Sequence, residues 1–514
     1  MNKLLKSLYL NWQIFPVWLF FIFVGLHGVN FGYHWDEWYH VANANYDISQ
    51  PSLLITPFYS YPSVTHWLTL LSLFPSYIFS LFSNQALIVE EPLMATRGVF
   101  VIISSLTIIW IYWLTKHLTQ SKLAAIVASS LWAFSWEASY HSRWVASDLI
   151  MVQFCTLALI PLYLFFRHKQ TKYLYWFAFV LGIATGTKYQ AGIVLVFPLL
   201  YALTHKKQWR NILPQLTLLL VIAVTTFLLT TPGIVLTTSR FMSGFENAIV
   251  AYKYGHRHLN YLVGNRTESV FLSLNYLTTV FFSKYLLING LIFGSVVYSA
   301  YAGIKQKRNW FQLGLIVVPT LYLLVISNTK VLIVRNLLLV TPFISILFGI
   351  GVSKLKKTSL SVISLLIILV VGLSLLSNGY RQYTASTMSP HFNPQFSSLL
   401  NQISSKQTAI FISKNAKRKL TQSEHIPRLN SVALETAELA LITQSDEATI
   451  PANYGRQFLG WSGASPTNLN YYPNWDCQDC LIVVDLKKWR LNTARLGHIE
   501  KTVIPEPKLN LPSQ

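Results

Sequence analysis

The chain has 514 residues, of which 53% are hydrophobic and only 11% are charged, and its mean hydropathy is +0.41. Soluble domains carry about 25% charged residues, so this composition excludes an ordinary soluble protein and indicates a polytopic membrane protein. The formal net charge is +21. The basic residues lie in short clusters between apolar runs, which indicates cytoplasmic loops and argues against a nucleic-acid-binding face.

About eleven apolar runs have the length of a membrane-spanning helix, for which a bilayer requires ~20 residues. The predicted spans are residues 14–31, 96–115, 123–140, 149–166, 173–187, 189–204, 212–231, 281–303, 310–327, 336–352 and 360–377. The run at 64–82 contains Pro75 and has no basic residue at either end, so we predict an interfacial helix in the first outer loop. The spans at 173–187 and 189–204 are short and rich in glycine, which predicts broken or tilted helices. A long loop is expected at 233–280.

Basic clusters occur at every second end or loop of the predicted spans, and therefore on one side of the membrane. This pattern predicts a cytoplasmic N-terminus. Every acidic residue before residue 378 falls on the opposite side. The first apolar run has no small-residue cleavage site, so we interpret it as a retained helix in a multi-pass protein of the plasma (inner) membrane. Residues 1–377 are therefore expected to form the transmembrane domain.

Residues 378–514 are soluble in composition and are predicted to form a small extracytoplasmic α/β domain. Strands are expected at 408–412 and 480–484, with a helix at 431–443 between them. Cys477 and Cys480 fit a zinc half-site, a redox pair or a local disulfide. In an oxidising outer compartment the disulfide is the preferred interpretation.

The stretch at residues 34–40 follows the first span and contains two adjacent carboxylates, Asp36 and Glu37, among aromatic and histidine side chains. An aromatic belt at the membrane surface explains the aromatic residues. It does not explain the carboxylates, which are costly near hydrocarbon and normally face a polar cavity or a partner.

Further polar residues fall at the outer ends of spans in distant parts of the chain: Arg97, Arg143, Asp148, Lys188, Arg335 and Asn336. Each alone has a structural explanation, such as a cation reaching the headgroups or Asp148 capping a helix. Together they predict a cavity with carboxylates for proton transfer and cations for a phosphate. A sugar linked to a polyprenyl phosphate suits this set, because its leaving phosphate requires cations and the attacking acceptor requires a base.

These residues also carry a family resemblance. The acidic pair after the first span, Arg97, the segment 141–148, the glycine-rich segment 182–189 and the segment 334–342 occur in an order that resembles the GT-C glycosyltransferases. The pattern is most similar to the protein O-mannosyltransferase and aminoarabinose-transferase-like group (glycosyltransferase family 39 and its bacterial relatives). The resemblance covers about residues 19–351 and implies the GT-C fold.

The resemblance implies inverting transfer, on the outer face, of a sugar from a polyprenyl-phosphate donor to a lipid, glycan or protein acceptor of the cell envelope. Asp36 matches the catalytic aspartate, a general base, and Asp148 the second acidic position. The substrate-binding set comprises Glu37, Arg97, Arg143, Lys188, Arg335 and Asn336. No cofactor is expected to be required; His34, Asp36, Glu37 and His40 offer ligands for a divalent metal, which the reaction of the family does not require. The alternative is a transporter of a lipid-linked or small polar substrate.

Overall fold

The computed structural model describes residues 12–27, 29, 37, 40–41, 44, 55–56, 59–83, 90–204, 209–254, 266–283, 285–305, 310–329, 332–356, 366–373, 394–414, 416–417, 429–443, 457–461 and 481–486. The described residues divide into two compact units. The first contains the helices up to residue 373, and the second contains the described residues from Pro394 onward. The predicted boundary at residue 378 falls outside the described residues.

The first unit is a bundle of helices. In chain order its helices are α1 (Phe15–His27), α2 (Val64–Ser83), α3 (Glu90–Thr119), α4 (Lys122–Ala133), α5 (Trp136–Ser142), α6 (Ser147–His168), α7 (Thr171–Thr187), α8 (Val196–Thr204), α9 (Trp209–Thr230), α10 (Gly233–Leu236), α11 (Thr238–Tyr254), α12 (Arg266–Asn275), α13 (Leu286–Lys305), α14 (Trp310–Ile326) and α15 (Thr341–Lys356). Two 3₁₀ helices, Tyr189–Leu195 and Val334–Val340, precede α8 and α15, and a π-helix, Tyr276–Phe282, follows α12.

By length and composition, five helices among the described residues can cross a membrane, and five shorter apolar helices accompany them. The described part of the predicted last span, residues 366–373, is also helical. Nearly every residue of the segment at 334–355 is buried within the bundle. It packs against α3, α4 and α13, which makes it the central element. The chain is therefore a multi-pass membrane protein, as predicted.

Local sequence explains where the helices begin and end. The Ser121 side chain caps α4 by accepting a hydrogen bond of 3.2 Å from the Ala124 N–H. Lys169 ends α6 in the left-handed conformation, with φ of 59°. On α7, a Cβ at Gly182 would overlap Thr226 and the Ala223 carbonyl of α9, so the two helices pack at a distance that only glycine permits.

Two expectations for the bundle need correction. The span predicted at 123–140 consists of two helices, because the chain breaks at Phe134 and Ser135 before α5 begins. The long loop predicted at 233–280 is largely helical over its described residues, because its mixed polarity is that of short amphipathic helices. The expected breaks around residues 189–204 are confirmed by the 3₁₀ helix there.

The second unit contains one helix, α16 (Pro394–Ser405), and a four-stranded mixed sheet within its described residues. The strands are β1 (Ile410–Ile412), β2 (Leu439–Ile442), β3 (Gln457–Trp461) and β4 (Ile482–Asp485). Their order is β1-β2-β4-β3; β1 pairs parallel to β2, and the other pairs are antiparallel. The prediction of an α/β unit is confirmed. Cys477 and Cys480 lie outside the described residues.

The helix predicted at 431–443 is wrong. Its second half is strand β2, which pairs with a strand on either side and is buried at all four positions. A central strand buried on both faces loses the alternation that normally distinguishes a strand from a helix.

Candidate active site

The centre of the candidate site is Asp148, in the first turn of α6. The Lys188 Nζ donates a hydrogen bond of 2.5 Å to its Oδ1, and the Nε of Arg335 lies 3.6 Å from its Oδ2. Lys188 is the last residue before the 3₁₀ helix Tyr189–Leu195, and Arg335 lies inside the 3₁₀ helix Val334–Val340. Each helix interruption therefore places one cation beside the same carboxylate.

Asn336 completes this cluster. Its side-chain oxygen accepts a hydrogen bond of 2.7 Å from Lys188, and its amide donates one of 3.0 Å to the Tyr252 hydroxyl. The backbone carbonyl of Asn336 accepts a hydrogen bond of 2.9 Å from the Tyr322 hydroxyl. The residue is fully buried. Its orientation is thus fixed from three directions.

Tyr61 lies against both cations. Arg335 donates to its hydroxyl at 3.4 Å, and the Lys188 Nζ lies 5.8 Å from the centre of its ring. The His40 ring is 5.9 Å from the Tyr61 ring, which brings the described end of the stretch at 34–40 to this cluster. Aromatic faces favour nearby cations by a modest amount, about 0.5–2 kcal/mol. Sequence reasoning did not select Tyr61, because a tyrosine in a loop carries no signal that separates it from an interfacial one.

Glu37 and Arg97 form a fully buried ion pair. The Arg97 Nε and Nη2 atoms lie 2.9 and 2.5 Å from the two oxygens of Glu37. This is the bidentate geometry typical of strong arginine–carboxylate pairs. The same carboxylate accepts a hydrogen bond of 3.0 Å from the backbone N–H of Val145, in the loop before Asp148. Glu37 therefore attaches the segment after α1 both to α3 and to the loop before Asp148. The contacts of Glu37 and Arg97 connect elements of the bundle, and their predicted substrate binding stays a prediction.

Arg143 is also buried. Its guanidinium donates a hydrogen bond of 3.0 Å to the Val24 carbonyl of α1 and lies 5.0 Å from the centre of the Trp136 ring. Burial is the main cause that lowers the pKa of Arg143 to about 10, so the side chain stays charged at neutral pH. It was predicted to bind substrate, and these contacts connect α1 to the end of α5.

Asp36 and His34 lie outside the described residues, so the predicted base is located only by its covalent neighbour Glu37. Within the described part of the chain, no three or more His, Cys, Asp or Glu residues are grouped as metal ligands. Asp36 and His34 are two of the four residues considered as ligands for a divalent metal. The metal hypothesis therefore stays a prediction.

The fold matches solved structures of the protein ArnT. The chain superimposes on ArnT from Cupriavidus metallidurans bound to undecaprenyl phosphate with a TM-score of 0.53 and 12% identity, over 93% of this chain and 98% of that one. The apo form of that protein gives the same coverage and TM-score at 13% identity. The chain thus has the GT-C fold.

Residues 72–230, from α2 to the end of α9, match the family model described as dolichyl-phosphate-mannose-protein mannosyltransferase. No curated protein matches the chain. The family match and the fold agree that the chain is a membrane glycosyltransferase. Neither comparison supports the transporter alternative.

Proposed function

We propose that this protein transfers a sugar from a polyprenyl-phosphate donor to an acceptor on the outer face of the plasma membrane. The observation that carries the proposal is the meeting of Lys188 and Arg335 at one carboxylate, Asp148. Two cations beside one carboxylate leave an excess positive charge in a site that is buried from water. A phosphate monoanion or dianion is the ligand that such a site attracts.

A lipid-linked phosphate is favoured over a soluble nucleotide because the cations lie at interruptions of apolar helices. A polyprenyl chain would lie in the surrounding hydrocarbon while its phosphate enters the cluster. The undecaprenyl phosphate bound to ArnT, which shares the fold, supports the same donor class here.

In the proposed reaction, Asp36 accepts the proton of an acceptor hydroxyl or amine as that group attacks the anomeric carbon. The bond from that carbon to the phosphate oxygen breaks on the opposite face, which inverts the configuration. Lys188 and Arg335 stabilise the negative charge that the leaving polyprenyl phosphate gains. Asp148 holds both cations in position before the donor arrives. Glu37 and Arg97 support the segment that carries Asp36.

The acceptor is a lipid, a glycan or a protein, since the reaction requires only a nucleophilic hydroxyl or amine on it. It requires no cofactor, because the phosphate is already a good leaving group and the two cations supply the charge. A divalent metal at the first loop would be an addition to this scheme.

The test is sugar transfer in membranes with labelled polyprenyl-phosphate sugars. Asp36→Asn should lower transfer by about 100-fold or more, since a positioned general base typically contributes 10²–10⁴-fold. Asp47→Asn, a matched change in the same loop, should leave transfer unchanged. Equal transfer by the wild type and Asp36→Asn would exclude Asp36 as the base. A wild type inactive with every donor of this class would contradict the proposed function itself.

A further inference from the structure

Glu137 is a buried carboxylate that the proposed reaction does not use. It lies on α5, is 0% exposed, and accepts a hydrogen bond of 2.8 Å from the Tyr276 hydroxyl at its Oε2. The same oxygen is 3.5 Å from the Nε2 of His141, one turn further along the helix. A buried carboxylate lowers stability unless it is paired and hydrogen-bonded, so its presence here indicates a specific role for Glu137.

Tyr276 is the first residue of the π-helix. π-Helices are rare and occur frequently at functional sites. Burial and then the charge of Glu137 raise the pKa of Tyr276 well above its ordinary value, so its hydroxyl remains a donor. A second contact joins the same two elements, because the Ser135 hydroxyl donates to the Phe281 carbonyl at 2.8 Å. Two hydrogen bonds therefore fix α5 against the π-helix.

The end of α5 leads directly into the site. Only the short loop after Ser142 separates it from Asp148, and within that loop the Val145 N–H holds Glu37. The His141 ring lies 4.3 Å from that of Trp144, so the end of α5 packs against this loop. A shift of α5 would consequently move the loop that places both Asp148 and the segment around Glu37.

We propose that Glu137 is a positioning residue for the transfer reaction, which fixes Tyr276 and His141 and thereby holds the loop before Asp148 in its reactive geometry. The proposal rests on the proposed function. Glu137 is not a substrate-binding residue, because no part of it is accessible from the site. A displacement of about 1 Å between reacting groups lowers the reaction rate on the order of 100-fold. A residue that only positions these groups therefore has a measurable effect on the rate.

The experiment measures turnover and the donor KM in purified full-length protein for Glu137→Gln, Tyr276→Phe and the double variant. Each single change should lower kcat by about 10-fold to 100-fold and leave the donor KM within about twofold, since Lys188 and Arg335 are untouched. The double variant should be no slower than the slower single one, because both changes weaken the same hydrogen bond between Tyr276 and residue 137. Glu246→Gln, an exposed carboxylate on α11, is the matched control and should behave as the wild type.

Wild-type kcat in both single variants would overturn the proposal. So would kcat losses that multiply in the double variant, or a donor KM that rises in proportion to the loss. Should Glu137→Gln not fold, Tyr276→Phe decides alone, because it removes a single hydroxyl. An inactive wild type would instead count against the proposed function and would be recognised before any variant is compared.

Discussion

Lys188 lies between Asp148 and Asn336 in a position that almost no water reaches. An ammonium group there depends on its two hydrogen bonds for the solvation that it has lost. Asp148 depends on Lys188 in the same way, since its second cation, Arg335, is more distant at 3.6 Å. The buried pair is thus both the proposed phosphate site and a point where a single change leaves an uncompensated charge.

Lys188→Met should abolish donor binding and also destabilise the protein by about 3–5 kcal/mol, because it leaves the Asp148 carboxylate buried beside one distant cation. Thermal unfolding in detergent and the donor KM measure the two effects. Adding Asp148→Asn should restore much of the stability but none of the activity. Lys253→Met, an exposed lysine on α11, should change neither quantity. A single variant as stable as the wild type would contradict the buried-pair argument.

At this scale, sequence reasoning selected Asp148, Lys188, Arg335 and Asn336, because an isolated charge at the end of an apolar helix is costly and therefore conspicuous. It did not predict which residues pair. Glu37 and Arg97 are separated by 60 positions, and nothing in either segment indicates the other. Pairing depends on how the helices pack, which a single sequence does not specify.

At the scale of elements, hydropathy located the spanning helices and the glycine-rich break near residue 189, but it missed two other breaks. Val334–Val340 is a 3₁₀ helix inside an apolar run, and the run of hydrophobic residues gives no sign of a change in helix type. The break before α5 was missed for the same reason, because the aromatic residues on either side of Ser135 continue the apolar pattern.

Helix packing provides a prediction at this scale. A Cβ on Gly351 of α15 would overlap the backbone carbonyl of Ser295 on α13, whereas a Cβ on Gly290 would meet nothing within 4 Å. Gly351→Ala should lower the free energy of unfolding by about 1–3 kcal/mol, because backbone cannot move aside as a flexible side chain does. Gly290→Ala should be neutral or stabilising by up to about 1 kcal/mol. Thermal unfolding midpoints of the two variants give the comparison, and a neutral Gly351→Ala would show that the two helices are farther apart.

At the scale of the whole molecule, the distribution of charge predicts which side of the membrane each loop faces. Lys172, in the first turn of α7, is expected inside, and Glu246, on α11, outside. Both side chains are exposed. In a chain whose three native cysteines are replaced, Glu246→Cys should react with a membrane-impermeant maleimide in right-side-out vesicles. Lys172→Cys should react only after permeabilisation. The opposite labelling pattern would invert the topology and place the site on the cytoplasmic face.

The architecture of the first unit was largely predictable, since each apolar run must satisfy its backbone hydrogen bonds as a helix. The second unit was less so. Its short strands, such as β2, gain their hydrogen bonds from partners far along the chain, and local propensity contributes little to that choice.

The 3₁₀ helix at Tyr189–Leu195 also changes the reach of the chain. A 3₁₀ helix rises about 2.0 Å per residue against about 1.5 Å for an α-helix. The seven residues of this segment and the nine of α8 together extend about 27 Å, where the same residues would cover only about 24 Å as one α-helix. That gain brings an otherwise short segment close to the ~30 Å thickness of the hydrocarbon layer. The longer 3₁₀ segment thus lets Lys188 reach Asp148 at the end of the apolar run without added residues. Restoring regular α-helix over the same residues would withdraw the ammonium from that carboxylate by about 3 Å.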